Sequence, residues 1–439
     1  MSNEPRAQGI ASPPSTTQHF RNFALNVGEG VFLRSSFTLT SSETVLLALM
    51  RDLGAGQLLL GVTSGLTVSL WTLPQGPAAI WGGSRPRYRM LLSTTRSVAG
   101  LLWLALAVYL ATSRPDWSKL SIVVALVAVS LTRLTGGAVV PLWVEFVNRL
   151  VRPSYRGRFY GFRTMFGAVA AFGSSAVVGL LLARLRFPFG YAWCLGIAGA
   201  LLVLGAVMMG CSVEPQWDAR PKRRRLLDLK PLMMLLWRDR TFGWFTLAIV
   251  LSAFGGGTML SSMPYPCYFN RAFTAFPTVR QHPGAYMGYM QGAITLGLVV
   301  GGLAAAWVVD RRSARAGFFT ALVLGTFPPV VALLAPNERW YLLTFVIYGA
   351  ATGVADASYH NVIVSMAPVE KRALYVGAVN TFRAGFFFAA PVIGGALAVR
   401  TSPQVVFVAA GAISVLTAVV YLRTLGLKRA AVEQDVTAE

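Results

Sequence analysis

The sequence predicts an all-α integral membrane protein with twelve transmembrane helices in two six-helix, pseudo-symmetric bundles. Three observations carry this. Of 439 residues, 55% are hydrophobic and only 13% charged, where a soluble domain carries about a quarter charged residues. Twelve apolar runs follow one another, each near the roughly 20 residues that cross a hydrocarbon core about 30 Å thick. A set of residues also recurs at a fixed offset of 216, so that one half of the chain repeats the other.

The first 19 residues are rich in Ser, Thr and Pro and read as a disordered tail. They hold no apolar signal-peptide segment, so the first span is expected to stay as an anchor. The spans are expected at 22–42, 56–81, 90–112, 120–147, 163–184 and 189–211, then 241–263, 285–309, 316–335, 340–366, 374–399 and 404–425. They define an N-terminal bundle (20–211), a basic linker (212–240), a C-terminal bundle (241–425) and a C-terminal tail (426–439). Continuous apolarity excludes a β-barrel, whose strands alternate.

Lys and Arg number 39 against 17 Asp and Glu, a net charge of +22. Most fall in the tails and in the loops on the same side, which places both termini in the cytoplasm. The densest block, Lys222 to Arg225, lies in the linker and is expected to meet anionic lipid head groups rather than nucleic acid. Leu226 to Trp237 is too short to span and should lie along the inner surface. The three cysteines and three histidines have no metal-site spacing, and no GxxxxGK[ST] occurs. No metal, cofactor or ATP hydrolysis is expected, and the chain is not read as an enzyme.

The repeat is visible at the ends of spans 4 and 10. Arg156 and Gly161 are matched by Arg372 and Gly377, and Gly137 stands 19 residues before Arg156 as Gly353 does before Arg372. Parallel six-span halves are a transporter plan. The chain here resembles the major facilitator superfamily. That superfamily's loop motif GxxxDRxGRR is echoed after span 8 by Ala306, Asp310, Arg311, Arg312 and Arg315. The matching first-half loop keeps Arg85, Arg87 and Arg89 but has no Asp. Arg133 and Gly137 match the RxxxG of span 4, whereas the Gly-Pro pair of many antiporters is absent from span 5. The resemblance implies that spans 1, 4, 7 and 10 line a central cavity.

Those spans hold most of the intramembrane polar residues, and a charge at mid-bilayer costs at least about 2.5–3.5 kcal/mol on insertion scales. In span 1, Asn22, Asn26, Glu29, Ser36 and Thr40 form one helix stripe; in span 10, Gly349, Gly353, Asp356 and His360 form another. Arg133 comes from span 4, and Tyr265 and Tyr268 from the outer end of span 7. Glu29 is read either as a titrating group or as the fixed counter-ion of a cation, and Asp356 with His360 either as a proton relay or as a static pair. Ser64, Thr67, Trp71 and Gln75 share a face of span 2, either beside the solute or in the joint between halves. Arg34 and Arg383 are assigned by default to packing, and glycines such as Gly297, Gly301 and Gly302 to close helix contact.

These residues point to a secondary active transporter moving a small organic solute across the cytoplasmic (inner) membrane by alternating access, coupled to protons. A membrane sensor or assembly factor on the same fold is the alternative. The substrate and proton cavity is expected to contain Asn26, Glu29, Arg133, Asp356, His360, Gln75, Tyr265 and Tyr268. The intramembrane charge count favours an anionic or zwitterionic solute. Gating is expected from Asp310, Arg311, Arg156, Arg158, Arg372 and Glu145, with Asp310 pairing to Arg158 or Arg163. Glu145 lies about 18 Å along the axis from Arg133, too far to share a ligand. Glu29 and Arg133 are expected to face each other, and the protein to act as a monomer.

Overall fold

The computed structural model describes residues 16–82, 87–113, 118–215, 239–255, 268–367 and 372–436, and among these all regular structure is helical. The first half runs α1 (Thr16–Leu39), α2 (Val45–Asp52), α3 (Gln57–Thr72), α4 (Gln75–Gly82), α5 (Arg89–Thr112), α6 (Ser118–Leu150), α7 (Arg156–Arg184) and α8 (Phe189–Gly210). The second runs α9 (Arg240–Ser252), α10 (Asn270–Ala275), α11 (Pro277–Gln281), α12 (Pro283–Arg311), α13 (Ala314–Leu324), α14 (Phe327–Leu334), α15 (Glu338–Met366), α16 (Arg372–Arg400) and α17 (Pro403–Val436). The Lys222 to Arg225 block, Leu226 to Trp237 and Tyr265 lie outside the described residues.

Eight described segments are long and apolar enough to cross a membrane: the helices α5, α6, α7, α8, α12, α16 and α17, and the run through α13 and α14. The remaining expected spans fall on α1, α3–α4, α9 and α15, whereas α2 occupies residues 45–52, between the first two expected spans, where no helix was expected. Local chemistry explains the interruptions. In the first span, Thr40 turns its hydroxyl onto the Ser36 carbonyl at 2.8 Å, and Ser41 Oγ takes the Glu43 N–H at 3.2 Å. These side-chain bonds compete with the helix ladder, which stops at Leu39 and restarts at Val45. Pro74 separates α3 from α4, and Pro328 opens α14 within its first turn. Two boundaries differ from expectation. Residues 16–19, assigned to the tail, are the first turn of α1, and the last helix continues through most of the expected tail to Val436.

Helix ends are closed by side chains. Asp239 accepts the Phe242 N–H at 2.9 Å to start α9, Ser313 accepts from Ala316 to start α13, and Asn337 accepts from Arg339 and Trp340 to start α15. Within the first half, α5 packs on α8 and α1 on α7 and α8; within the second, α12 and α13 pack on α15 and α9 on α17. The halves meet where α3 lies against α16 and α7 against α12. A Cβ on Gly297 or Gly301 would strike the Val346 or Ala350 carbonyl, which fixes the close α12–α15 crossing. Gly302, expected in the same stripe, is open on its Cβ side. Helix α2 is buried on every side: Val45 to Met50 are each at most 1% exposed, in a core shared with Tyr268, Phe269 and Tyr341 of the second half.

Candidate functional site

A cavity of about 460 Å³ opens along the joint between the halves. The first half contributes Glu43 from the α1–α2 break, Trp71 and Thr72 from α3, Gln75 from α4 and Val140 from α6. The second contributes Tyr348, Thr352, Asp356 and Tyr359, spaced along one face of α15, with Arg383 and Phe387 of α16 and Ser414 and Thr417 of α17. The volume is within the range of small-molecule sites, and a few polar groups converge among apolar walls.

Two acid clusters face the space. Tyr348 Oη donates to Glu43 Oε1 at 3.1 Å, joining the halves, and beside it Thr44 Oγ1 donates to Gln291 Oε1 at 2.7 Å. Arg133 donates to the Thr40 carbonyl at 3.1 Å, lies 5.8 Å over the Phe37 ring, and sits in the field of Glu43. Asp356 is open to the cavity, with Arg34 and Arg383 as its charged neighbours. Arg383 rests on the rings of Tyr359 at 4.7 Å and Phe387 at 5.3 Å. Below them Tyr359 donates to Asn380 at 3.0 Å, Asn380 donates to Gln75 at 3.3 Å, and Gln75 donates to the Trp71 carbonyl at 3.0 Å. This chain of hydrogen bonds also crosses the joint.

Of the expected cavity residues, the structure brings Gln75 and Asp356 to the cavity and Arg133 close behind it. It sends three elsewhere. Glu29 is 1% exposed and lies between Arg163 at 2.7 Å and Arg96 at 3.3 Å, so the expected face-to-face placement with Arg133 is corrected. Arg163 also donates to the Asn26 carbonyl and stacks 4.6 Å over Trp143. Asn26 donates to Ser212 Oγ at 3.0 Å, and Asn22 pairs with the Val213 backbone. The span 1 stripe is real but turns toward its own half, where α5, α7 and the end of α8 surround it. Tyr268 is buried, stacked 4.6 Å from Phe407. The side chain of His360 lies outside the described residues. Arg383, assigned to packing, is instead a cavity residue. In span 2, Thr67 is tied to the Ser64 carbonyl at 2.7 Å, and only Trp71 and Gln75 of that face reach the cavity.

The gating residues divide similarly. Arg156 donates to the Val151 and Asn148 carbonyls and so caps the end of α6. Arg158 lies 5.7 Å over Tyr155, and Arg311 4.7 Å over Trp307. Arg163 is engaged by Glu29. The side chains of Asp310 and Arg372 lie outside the described residues. Glu145 accepts from Arg149 at 3.3 Å, and Arg149 reaches Glu214 at 3.8 Å and stacks 4.3 Å over Tyr88. Glu214 takes the backbone N–H groups of Tyr88 and Arg89 at 2.9 and 2.7 Å, supplying the carboxylate at the start of α5 that the first-half loop lacks. Burial pushes the Glu214 carboxyl above its ordinary range, against those N–H groups and Arg149. A smaller cavity of about 250 Å³ lies at the opposite end, where Arg51 stacks 4.5 Å over Phe273 and Asp52 accepts from Tyr191 at 2.6 Å.

Helices of this length and apolarity, packed around a shared charged cavity, define an integral membrane protein. The family model "Major Facilitator Superfamily" matches residues 267–437, most of the second half. No curated protein matches the chain. Solved structures match nearly all of it at low identity. The nucleoside transporter NupG is 13% identical with a TM-score of 0.63, covering 93% of this chain and 99% of its own. A bacterial homologue of the human lysosomal transporter Spinster, inward-facing and unoccupied, is 14% identical with a TM-score of 0.59, covering 94% and 99%. A POT family transporter in complex with 5-aminolevulinic acid is 11% identical with a TM-score of 0.69, covering 92% and 95%. Together, the family match and the shared fold bear out the resemblance read from the motifs.

Proposed function

We propose that the protein is a secondary active transporter that carries a small anionic or zwitterionic solute across the cytoplasmic membrane by alternating access, on twelve spans with both termini inside. What supports this most is the cavity between the halves: its polar groups come from both, so rocking one half on the other would break and remake the contacts around a bound solute. The Glu43–Tyr348 and Gln75–Asn380 bonds are the contacts that such motion must exchange.

Proton coupling belongs to the same reading. Asp356 in the cavity and Glu43 at its wall are carboxylates beside arginines, so movement between water and a cation alters their hold on a proton. Asp356 is the carrier retained from the sequence, with His360 one turn along α15; Glu43 takes the place given to Glu29. On the cytoplasmic side Asp310 is proposed to close against Arg158, and the basic linker to lie on anionic lipid. Reconstituted vesicles with an imposed pH gradient, offered anionic, zwitterionic, cationic and neutral solutes, test the reading. Accumulation of at least one solute, abolished by a protonophore, is expected; no movement of any would favour the non-transporting sensor.

A further inference from the structure

The charged groups of the cavity differ in how far they are already satisfied. Glu43 has its tyrosine and Arg133 its carbonyl, whereas Asp356 and Arg383 form no ion pair or hydrogen bond among the described residues, and Arg383 Nε is buried without a partner. The guanidinium rests over the rings of Tyr359 and Phe387, contacts that use none of its N–H donors, and among the described residues those donors make no hydrogen bond. Tyr359, which carries Arg383, is three residues from Asp356, about 4.5 Å along the helix axis on adjoining positions of one face. The result is a carboxylate and a guanidinium lining one cavity and within each other's field, unpaired with each other among the described residues, with Arg34 as the other cation near the carboxylate.

We propose that Asp356 and Arg383 form one subsite for the two ends of a compact zwitterion, an amino acid in which few carbons separate ammonium from carboxylate. This rests on the transporter reading and narrows its solute class. The ammonium would donate to Asp356, and the carboxylate would take the forked donors of Arg383. A singly charged solute satisfies one group and leaves the other desolvated and unpaired, which works against binding. A zwitterion satisfies both and adds no net charge. Trp71 and Val140 of the first half, which also line the cavity, offer apolar surface to its side chain.

The test is equilibrium binding to the purified full-length protein by each of the twenty protein amino acids, then by the deaminated acid and the decarboxylated amine of the best binder. The amino acid should bind at least about tenfold more tightly than either analogue, the effect of one charge-assisted contact. Asp356→Asn should erase the preference over the acid, and Arg383→Gln the preference over the amine, each to within about twofold. Unfolding temperatures verify that the variants fold; where Arg383→Gln does not, Arg383→Lys, which keeps the charge without the fork, should narrow the preference over the amine without erasing it, and an unchanged preference there would count against the subsite. Binding by none of the twenty, an analogue that binds as tightly as the amino acid, or preferences unchanged in the variants would overturn the subsite. Vesicle accumulation of another solute class without amino-acid binding would leave transport standing and remove the subsite. Preferential amino-acid binding without movement of any solute would do the reverse.

Discussion

Glu29 and Arg163 stand 2.7 Å apart in the interior of the first half, with Arg96 on the other side of the carboxylate at 3.3 Å. One acid thus balances the charge of two buried cations, which makes it a structural counter-ion. Glu29→Gln would leave both guanidinium groups uncompensated, a loss of about 3–5 kcal/mol by analogy with other buried pairs. A large fall in unfolding temperature is expected, measured in detergent, with solute binding retained in the folded fraction. Full stability would show that the triad does not hold the half together.

The glycine contacts between α12 and α15 give a paired comparison. Gly301→Leu would push a side chain into the Ala350 backbone and should cost at least about 1–3 kcal/mol, as overpacking does. Gly302→Ala points into open space and should leave the unfolding temperature within a degree or two, since a helical alanine is itself favourable. Equal effects of the two would contradict the crossing described.

Glu214 predicts a pH dependence at the start of α5. Its carboxyl is raised above 4.5 by burial, so its contribution to stability is fully present below that value and is lost as pH rises through the raised one. Relative to Glu214→Gln, the natural protein should therefore lose unfolding temperature as pH climbs from about 4.5 toward neutrality. Parallel curves for the two proteins would show that the N–H groups of Tyr88 and Arg89 offset burial completely.

Topology is tested by cysteine labelling in a background without Cys194, Cys211 and Cys267. His282→Cys should react from the outer face and Lys222→Cys only from the inner, as the distribution of Lys and Arg requires. The opposite pattern would invert the proposed gate at Asp310 as well.

Much of the helical architecture was legible because segments long and apolar enough to cross a membrane announce themselves in the sequence, as eight described segments do. Periodicity also found the stripe Asn22, Asn26 and Glu29, but it states only that residues share a face, never which neighbour they face. The signal that would have turned the stripe inward was a count of cations: Arg96 and Arg163, in spans 3 and 5, each need an anion, and Glu29 is the intramembrane acid within reach. Glu43 was missed for another reason. A Thr–Ser–Ser–Glu–Thr run reads as the polar end of a span, and nothing local says that the chain re-enters the core as α2. Asp356 was found because an aspartate inside a long apolar helix has few explanations, whereas Arg383 needed the rings of Tyr359 and Phe387 to show where it rests.

The central claim is that Asp356, with Glu43 beside Tyr348, couples a proton to movement of a solute through the cavity between the halves. It is tested most directly by comparing pH-driven accumulation with downhill exchange of labelled solute, in vesicles containing the natural protein, Glu43→Gln or Asp356→Asn. Loss of gradient-driven accumulation in both variants, with measurable exchange kept by Glu43→Gln, is the predicted result. Full accumulation by both variants would contradict it.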